Sequence, residues 1–206
     1  MSASAKIAGM VAFAQARKLD NRDRIMDAAA TLFRERGYLP VSIEDVAASS
    51  GVSRMTFYRH FSNKAALAEA LFARAATDAL PQFLSIREKD FTNPTVVYEW
   101  LTAAFAVDQE NRNLLRAFIQ ANVVEQGFSE MAHGFIAQII MGLGREIRAF
   151  SARQDVAAER RRWLQGWLLI YEILDQSNHA ARGLDPSCDP MVIDILADRF
   201  SAFVAV

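Results

Sequence analysis

The sequence predicts an all-α protein in which a small N-terminal three-helix unit is followed by a larger helical body. Apolar residues recur at three- and four-residue spacing in almost every segment. Residues that favour helix ends stand where these patterns begin or stop, and no segment has a convincing strand pattern. A chain of 206 residues that is 52% hydrophobic is long enough to bury a real core.

The N-terminal unit contains three predicted helices. They span about residues 21–36, 42–49 and 53–60. Gly37 suits a left-handed cap after the first helix, because glycine adopts a positive φ without steric cost. Ser42 and Ser53 are the predicted N-caps of the two short helices, and Asp45, three residues after Ser42, approximates a capping box.

The body begins with a helix that belongs to both parts of the chain. Asn63 is its predicted N-cap, and Pro81 is predicted to stop it. Asn93 followed by Pro94 is predicted to open the next helix. The helices of the body are predicted at about residues 63–80, 94–107, 112–125, 129–151, 156–178 and 189–203.

Charge, cysteine content and hydropathy restrict the class of protein. Residues 1–70 carry ten Lys and Arg against seven Asp and Glu, although the whole chain has a formal net charge of -1. This mild excess is consistent with an N-terminal part that meets a polyanion. The single cysteine, Cys188, cannot form an internal disulfide, which favours a cytoplasmic location. No apolar run approaches the roughly 18 residues that a membrane span requires, so no membrane partner is predicted.

The segment SIEDVAASSGVSRMTFYRHF, residues 42–61, has the spacing of a helix-turn-helix. Such a motif needs a small residue where its helices cross, a residue that tolerates positive φ in the turn, and an apolar residue just after it. Ala47, Gly51 and Val52 meet these needs in that order. The apolar residues predicted to face inward are Ile43, Val46, Phe57 and Phe61.

The outward face of the second short helix predicts binding of double-stranded DNA. An arginine can pair with a guanine through two hydrogen bonds, worth about 1–3 kcal/mol of discrimination, and methyl groups can meet thymine methyls. Ser42 and Lys64 lie at helix N-termini, where backbone N–H groups favour a phosphate, so we assign both to the DNA backbone. The predicted DNA-binding residues are Ser42, Ser53, Arg54, Met55, Thr56, Tyr58, Arg59, His60 and Lys64.

The N-terminal unit resembles the TetR family of regulators, most densely in GVSRMTFYRHFSNKAAL. The resemblance covers about residues 20–68. The positions that carry it are Ile25, Ala28, Leu32, Phe33, Gly37, Tyr38, Ser42, Ile43, Ala47, Gly51, Val52, Ser53, Thr56, Phe57, Tyr58, His60, Phe61, Lys64 and Leu67. Beyond this region only chain length and helical patterning agree with the family.

The resemblance implies nine or ten helices, a homodimer, and release of DNA when a ligand binds. By position, Ser42, Tyr58, His60 and Lys64 match residues that usually touch phosphate, whereas Arg54, Met55, Thr56 and Arg59 match the base-facing set. The chain departs from the family pattern at Arg54-Met55, where small residues are common, and at Phe57, where leucine is common. The first departure means that no relative's operator sequence can be borrowed.

The predicted domains follow from the motif and the helical pattern. They are residues 1–19, an N-terminal extension; residues 20–68, a helix-turn-helix DNA-binding domain; and residues 69–206, a helical ligand-binding and dimerisation domain. Disorder is the favoured reading of the extension, and contacts of Lys6, Arg17 and Lys18 with DNA are its alternative.

The predicted helix 156–178 is apolar around most of its circumference, so it needs cover on more than one side. One side can face the core, and a second copy of the chain can cover the other in a four-helix seam with the last helix. We therefore predict a homodimer. The residues predicted at its interface are Leu164, Leu168, Leu196 and Phe200.

The body also contains large apolar residues that could surround a small-molecule effector. Most are expected to be core, and His133 is the predicted polar contact if it turns inward. The candidate pocket residues are Trp100, Phe105, Phe118, Met131, His133, Phe135, Trp163, Trp167 and Tyr171. The expected effector is a small apolar or aromatic molecule, and no cofactor is predicted.

The favoured function is a ligand-responsive repressor that releases a palindromic operator. Two alternatives stay open: a protein–protein adaptor that keeps the fold without sequence-specific DNA binding, and an activator with the same DNA-binding mode. An enzyme is not expected, since the chain has no nucleophile elbow, phosphate-binding loop or cysteine pair. His179, Asp185, Cys188 and Asp189 are metal-ligand types in one loop, but no standard spacing supports a metal site.

Overall fold

The computed structural model describes the backbone of residues 3–205 and the side chains of residues 20–205. Within this range the chain is all-helical, as predicted. Its α-helices are α1 (Ala3–Arg36), α2 (Ile43–Ser50), α3 (Arg54–His60), α4 (Lys64–Leu84), α5 (Pro94–Glu110), α6 (Arg112–Val124), α7 (Phe128–Leu143), α8 (Arg160–Ala181) and α9 (Pro190–Val204). Two short 3-10 helices, Ser85–Glu88 and Arg148–Phe150, follow α4 and α7.

The predicted helix caps are present. Ser42 accepts a hydrogen bond from the backbone N–H of Asp45, whose carboxylate accepts one from Ser42 N in return, which completes the capping box. The side chains of Ser53, Asn63 and Asn93 likewise accept backbone hydrogen bonds at the starts of α3, α4 and α5. These caps satisfy N–H groups that have no partner within their helix.

The first helix is longer than the sequence pattern predicts. We expected it to begin near Asn21, whereas α1 begins at Ala3, so the backbone of residues 3–20 is helical where disorder was the favoured reading. The side chains of Lys6, Arg17 and Lys18 lie outside the described ones. Contact between the extension and DNA therefore stays a prediction.

Pro81 does not end α4, contrary to the prediction. The helix continues to Leu84, with Pro81 inside it. An interior proline costs about 3 kcal/mol, which is comparable with the burial of two large apolar side chains at about 1.5–3 kcal/mol each. Phe83 and Ile86 supply that burial in the core of the body, and the indole Nε1 of Trp100 donates to the carbonyl of Gln82 at 3.0 Å.

The helix α7 ends at Leu143 rather than near Ser151, and α8 begins at Arg160 rather than near Val156. The chain turns back closely at Gly144, where a Cβ atom would lie 2.7 Å from the carbonyl oxygen of Phe150. This turn places the ring of Phe150 on that of Phe200 in the core. Tertiary packing therefore interrupts a pattern that could have continued as one helix.

Two apolar cores organise the molecule. We call residues 20–71, which hold the side chains of α1–α3 and the start of α4, the head, and the rest of the described chain the body. The core of the body joins α5, α7, α8, α9 and the end of α4. The apolar core of the head also includes side chains from the body. These are Leu114, Ala117, Phe118 and Ala121 of α6 and Phe128 of α7. The helix α6 is thus packed directly against the head.

Candidate nucleic-acid interface and ligand cavity

The turn between α2 and α3 has a fixed geometry. Gly51 has a φ of 66°, the left-handed conformation that the sequence predicted. Its N–H donates to the carbonyl of Ala48, and the N–H of Val52 donates to that of Ala47 at 3.0 Å. From α1, the guanidinium of Arg24 donates to the carbonyl of Ser50 at 2.6 Å. These contacts hold α3 at one angle to the rest of the head.

The buried face of α3 anchors it to the head. Phe57 is fully buried and contacts the ring of Phe61 with centroids 5.9 Å apart. Val46 of α2 is also fully buried, and Ile43 is partly buried against the same core, as predicted. Replacing a buried phenylalanine by alanine typically costs about 3–5 kcal/mol, so this face fixes the orientation of the opposite one.

The opposite face of α3 points to solvent. Met55 is 82% exposed and Tyr58 46% exposed, and Arg54, Arg59 and Ser53 are exposed as well. Thr56 and His60 are half-buried at the edges of this surface. The hydroxyl of Thr56 lies 3.0 Å from that of Ser53. The residues predicted to bind DNA from α3 and its cap therefore form one continuous surface, which we call the reading face.

Arg54 is held by two neighbours on this face. Its guanidinium forms a 2.7 Å ion pair with Glu44 of α2, and both groups are more than half exposed. A hydrogen bond with Tyr58, followed by the charge of Glu44, raises the pKa of Arg54. The arginine remains charged, but Glu44 competes with any base or phosphate that approaches it.

Two residues predicted to contact phosphate are engaged elsewhere. The ammonium of Lys64 donates to the carbonyls of Tyr38, Leu39 and Val41 at 3.0, 3.3 and 3.0 Å, and it lies 4.2 Å from the centre of the Tyr38 ring. An ammonium has three donors, so these carbonyls use all of them. Burial lowers the pKa of Lys64. The hydroxyl of Ser42 donates to the Asp45 carboxylate at 2.6 Å within the capping box.

The junction between head and body is polar as well as apolar. The hydroxyl of Tyr38 donates to Glu125, at the end of α6, at 2.5 Å. The backbone N–H of Tyr38 donates to the side-chain oxygen of Gln120, also of α6, at 2.7 Å. Burial, followed by the hydrogen bond to Glu125, raises the pKa of Tyr38 far above its usual value. The loop that carries α2 is therefore tied to α6.

A cavity of about 800 Å³ lies between the head and the body. Its walls come from α1, α4, α5, α6, α7 and α8, and its size lies in the range typical of drug-sized ligands. The aromatic residues that line it are Phe72, Phe83, Phe118, Phe128, Phe135 and Tyr171. Asp108 of α5 also faces it, and burial raises the pKa of that carboxyl although a hydrogen bond from Ser177 acts in the other direction.

Three of the nine predicted pocket residues line this cavity: Phe118, Phe135 and Tyr171. Trp100 and Phe105 are instead buried in the core of the body. Met131, His133, Trp163 and Trp167 do not line the cavity; Trp167 stacks on Tyr171 at 5.3 Å, and His133, which is exposed, lies 5.8 Å from Trp167.

Sequence reasoning missed the contributions of α4 and α5 to the cavity, namely Phe72, Phe83 and Asp108. Helical periodicity shows that a residue faces inward but not whether it meets a core or a void. For Asp108, the sequence offered one indication of a place in the cavity: its carboxylate directly follows the apolar residues of α5.

The four predicted interface residues divide into two pairs. Leu164 and Leu168 are 42% and 57% exposed on α8, in line with a surface that a partner could cover. Leu196 and Phe200 are buried within the chain, where Phe200 contacts Trp100 at 5.2 Å. Other exposed large apolar residues of these two helices are Tyr171 on α8 and Met191 and Ile195 on α9.

Two further observations concern metal ions and membranes. Within residues 20–205 no three His, Cys, Asp or Glu side chains come together as a metal site would require. His179 instead pairs with Asp175 at 3.2 Å, and Cys188 is exposed. Among the described helices, none has the length and apolar character needed to cross a bilayer.

The fold and the reading face define a helix-turn-helix regulator of transcription. A family model for bacterial regulatory proteins of the tetR family matches residues 25–71. IcaR of Staphylococcus aureus, the negative transcriptional regulator of the biofilm operon icaADBC, is 28% identical over 130 residues, which are 63% of this chain and 68% of that protein.

Solved structures agree with this fold. Salmonella enterica GusR has a TM-score of 0.64 at 20% identity, covering 90% of this chain and 96% of that one. The TetR family repressor AlkX of Dietzia, implicated in biodegradation of n-alkanes, has a TM-score of 0.61 at 18% identity, covering 89% and 95%. Residues 25–71 of the chain thus match the N-terminal region of the TetR family of transcriptional regulators, and the fold of the described chain is the one found in solved structures of that family. As its relatives are regulators, the expectation that it is not an enzyme is confirmed.

Proposed function

We propose that this regulator is a homodimeric repressor, active in the cytoplasm, that binds a palindromic operator and releases it when a small molecule occupies the cavity. The observation that carries the proposal is the reading face. This face exposes Arg54, Met55, Tyr58 and Arg59. The orientation of its helix is fixed by the buried side chain of Phe57 and by the tight turn at Gly51. Such a face offers both base-reading and phosphate-binding groups.

Dimerisation is supported by the exposed apolar residues of α8, Leu164 and Leu168, which lie one helical turn apart and therefore form an uncovered apolar strip. A strip of this kind on a helix that also contributes to the core is typical of a helical seam between two copies. A symmetric dimer would present two reading faces, and a palindrome matches that symmetry.

Ligand response is supported by the place of the cavity. Its wall includes Leu71 and Phe72 of α4, Ala30 of α1 and Phe118 of α6, so it touches both the head and the body. A ligand that favours one arrangement of these helices shifts the population of head positions. The heads of a dimer must stand about 34–36 Å apart to enter successive major grooves, so a change of a few ångströms weakens binding.

Lys64 has a different role in this proposal from the one that the resemblance implies. We assign it to the carbonyls of the loop before α2, where it positions the motif, and we leave phosphate contact to Tyr58, His60 and the hydroxyls at the start of α3. Spin labels on two α3 helices would measure the head separation. An unchanged separation between free and ligand-bound protein would contradict the release mechanism.

The test of the function is selection from a library of random duplex DNA, with the Arg54→Ala, Arg59→Ala double variant in parallel. We expect a palindrome to be enriched by the native protein and lost with the variant. A salt-sensitive background without enrichment would instead support a protein–protein adaptor. Transcription from a promoter that contains the palindrome then separates a repressor from an activator.

A further inference from the structure

The cavity has an aromatic wall and a partly buried carboxylate that no described cation pairs with. Five phenylalanines and Tyr171 line it. The carboxylate is that of Asp108, a partly buried residue; Asn111 and Asn178 also line the cavity. An ionised group in such surroundings is costly unless an opposite charge or several hydrogen bonds compensate it.

Asp108 has little compensation of this kind. Its Oδ2 accepts a hydrogen bond from the hydroxyl of Ser177 at 2.6 Å, and among the described side chains no cation pairs with it. Burial outweighs this bond, since the pKa of Asp108 is raised. The folded protein thus keeps a carboxylate that a cation inside the cavity would stabilise.

The other charged groups around the cavity are paired or exposed. Asp175 pairs with His179 at 3.2 Å, and Arg74 pairs with Asp27 at 2.8 Å. The exposed groups are Arg34, Asp78 and Arg182. Arg182 also faces a second, open hollow of about 460 Å³ that it shares with Arg112 and Arg116. Among the described charged groups that line the cavity, Asp108 is therefore the one that is partly buried and has no ion pair with an opposite charge.

We propose that the cavity binds a lipophilic organic cation, a bulky or aromatic amine, ammonium or phosphonium, with Asp108 as its counter-ion and the aromatic rings against its apolar groups. Aromatic faces attract cations, by about 0.5–1 kcal/mol at exposed sites and about 2 kcal/mol or more when desolvated. This inference rests on the proposed ligand response and narrows it from any apolar effector to a positively charged one.

Two ions of nearly the same shape and opposite charge test the proposal: tetraphenylphosphonium and tetraphenylborate. We expect calorimetric titration of the full chain, without DNA, to show binding of the cation at least about tenfold tighter than of the anion, a difference of about 1.4 kcal/mol. Equal binding, tighter binding of the borate, or no binding of the phosphonium would overturn it. In the case of tighter borate binding, Arg34 and Arg182 would be the counter-ions of an anionic ligand.

Asp108→Asn should weaken phosphonium binding about tenfold, while Asp108→Glu, which retains the charge, should keep most of it. The matched control is Asp90→Asn, because Asp90 also accepts a 2.6 Å hydrogen bond from a hydroxyl, that of Thr92, but is exposed and away from the cavity. Circular dichroism establishes that each variant is folded. An Asp108→Asn protein that binds the phosphonium as tightly as the native chain would contradict the assignment.

The ligand class and the regulatory function can fail separately. If phosphonium binding depends on Asp108 but leaves the enriched duplex bound, the cation site stands and ligand-induced release fails. If the phosphonium does not bind but a neutral aromatic compound displaces the duplex, release stands and the cationic ligand class fails.

Discussion

Single residues of the head fix the orientation of α3. Among them, Lys64 makes several contacts with the loop before α2. Its ammonium binds three carbonyls of the loop before α2 and lies over the ring of Tyr38. Hydrogen bonds that involve a charged group contribute about 1.5–3 kcal/mol each. The residue therefore stabilises the head whether or not DNA is present.

Lys64→Met should lower the free energy of unfolding by at least the contribution of one such hydrogen bond, about 1.5–3 kcal/mol. It should leave the slope of log K against log salt for DNA binding unchanged, because no phosphate contact is lost. Arg59→Met is the control, since Arg59 is exposed on the reading face. It should reduce the slope by about 0.9 and change stability by less than about 0.5 kcal/mol. A reduced slope for Lys64→Met would show that Lys64 contacts phosphate after all.

Glu44 restrains Arg54 on the same surface. Exposed ion pairs are weak, so Glu44→Gln should tighten binding of the selected duplex by no more than about fivefold. The gain should disappear in an Arg54→Ala background, which a double-mutant cycle measures. Glu88→Gln, an exposed change in the body, should have no effect. A gain that persists without Arg54 would mean that Glu44 acts by repelling DNA directly.

At the scale of secondary-structure elements, α6 is the helix that connects the cavity with the reading head. It lines the cavity through Leu114 and Phe118, completes the core of the head, and holds the loop before α2 through Gln120. The sequence pattern favoured α4 as the connection, and α4 does belong to both parts. The structure adds α6 as a second, more direct contact with the loop.

Gln120→Ala removes the acceptor for the backbone N–H of Tyr38. A lost hydrogen bond of about 0.5–1.5 kcal/mol corresponds to amide exchange about 2- to 10-fold faster at Tyr38. The control is Gln138→Ala, since Gln138 is exposed on α7. Hydrogen exchange measured at single residues tests this. Unchanged exchange in the Gln120 variant would show that α6 does not restrain the loop.

The ends of helices could be predicted where hydrogen bonds and backbone freedom of nearby residues decide them. They could not be predicted where packing between distant segments decides them. Ser42, Asn63 and Gly51 specify caps and a turn through their own hydrogen bonds and backbone freedom, and each was recognised. Pro81 was misjudged because buried side chains beyond it offset its cost. Gly144 was missed because its close contact is with the distant Phe150.

The reading face and the cavity also differ in how far the sequence could predict them. The reading face follows from helical periodicity and a dense local motif, so its residues could be named in advance. The cavity and the body core are both lined by inward-facing apolar residues, and only the packing of distant helices separates Phe118 from Trp100. The same ambiguity placed the buried Leu196 beside the exposed Leu168 in one predicted interface.

For the whole molecule, the proposal requires a dimer that joins through the exposed strip of α8. Leu168→Glu should yield a monomer in sedimentation while changing the stability of the single chain by less than about 0.5 kcal/mol, since the residue is 57% exposed. Leu196→Ala should instead cost about 2–5 kcal/mol of stability, because Leu196 is buried. A native chain that sediments as a monomer at micromolar concentration would contradict the dimer.

The most direct test of the whole account is the affinity of the protein for the selected palindrome before and after five base pairs are inserted between its half-sites. Five base pairs turn one half-site by about half a helical turn, so two reading faces held by one dimer can no longer enter both major grooves. We predict that affinity falls to that of a duplex with a single half-site. Equal affinity for the two duplexes would contradict a dimer that reads both half-sites at once.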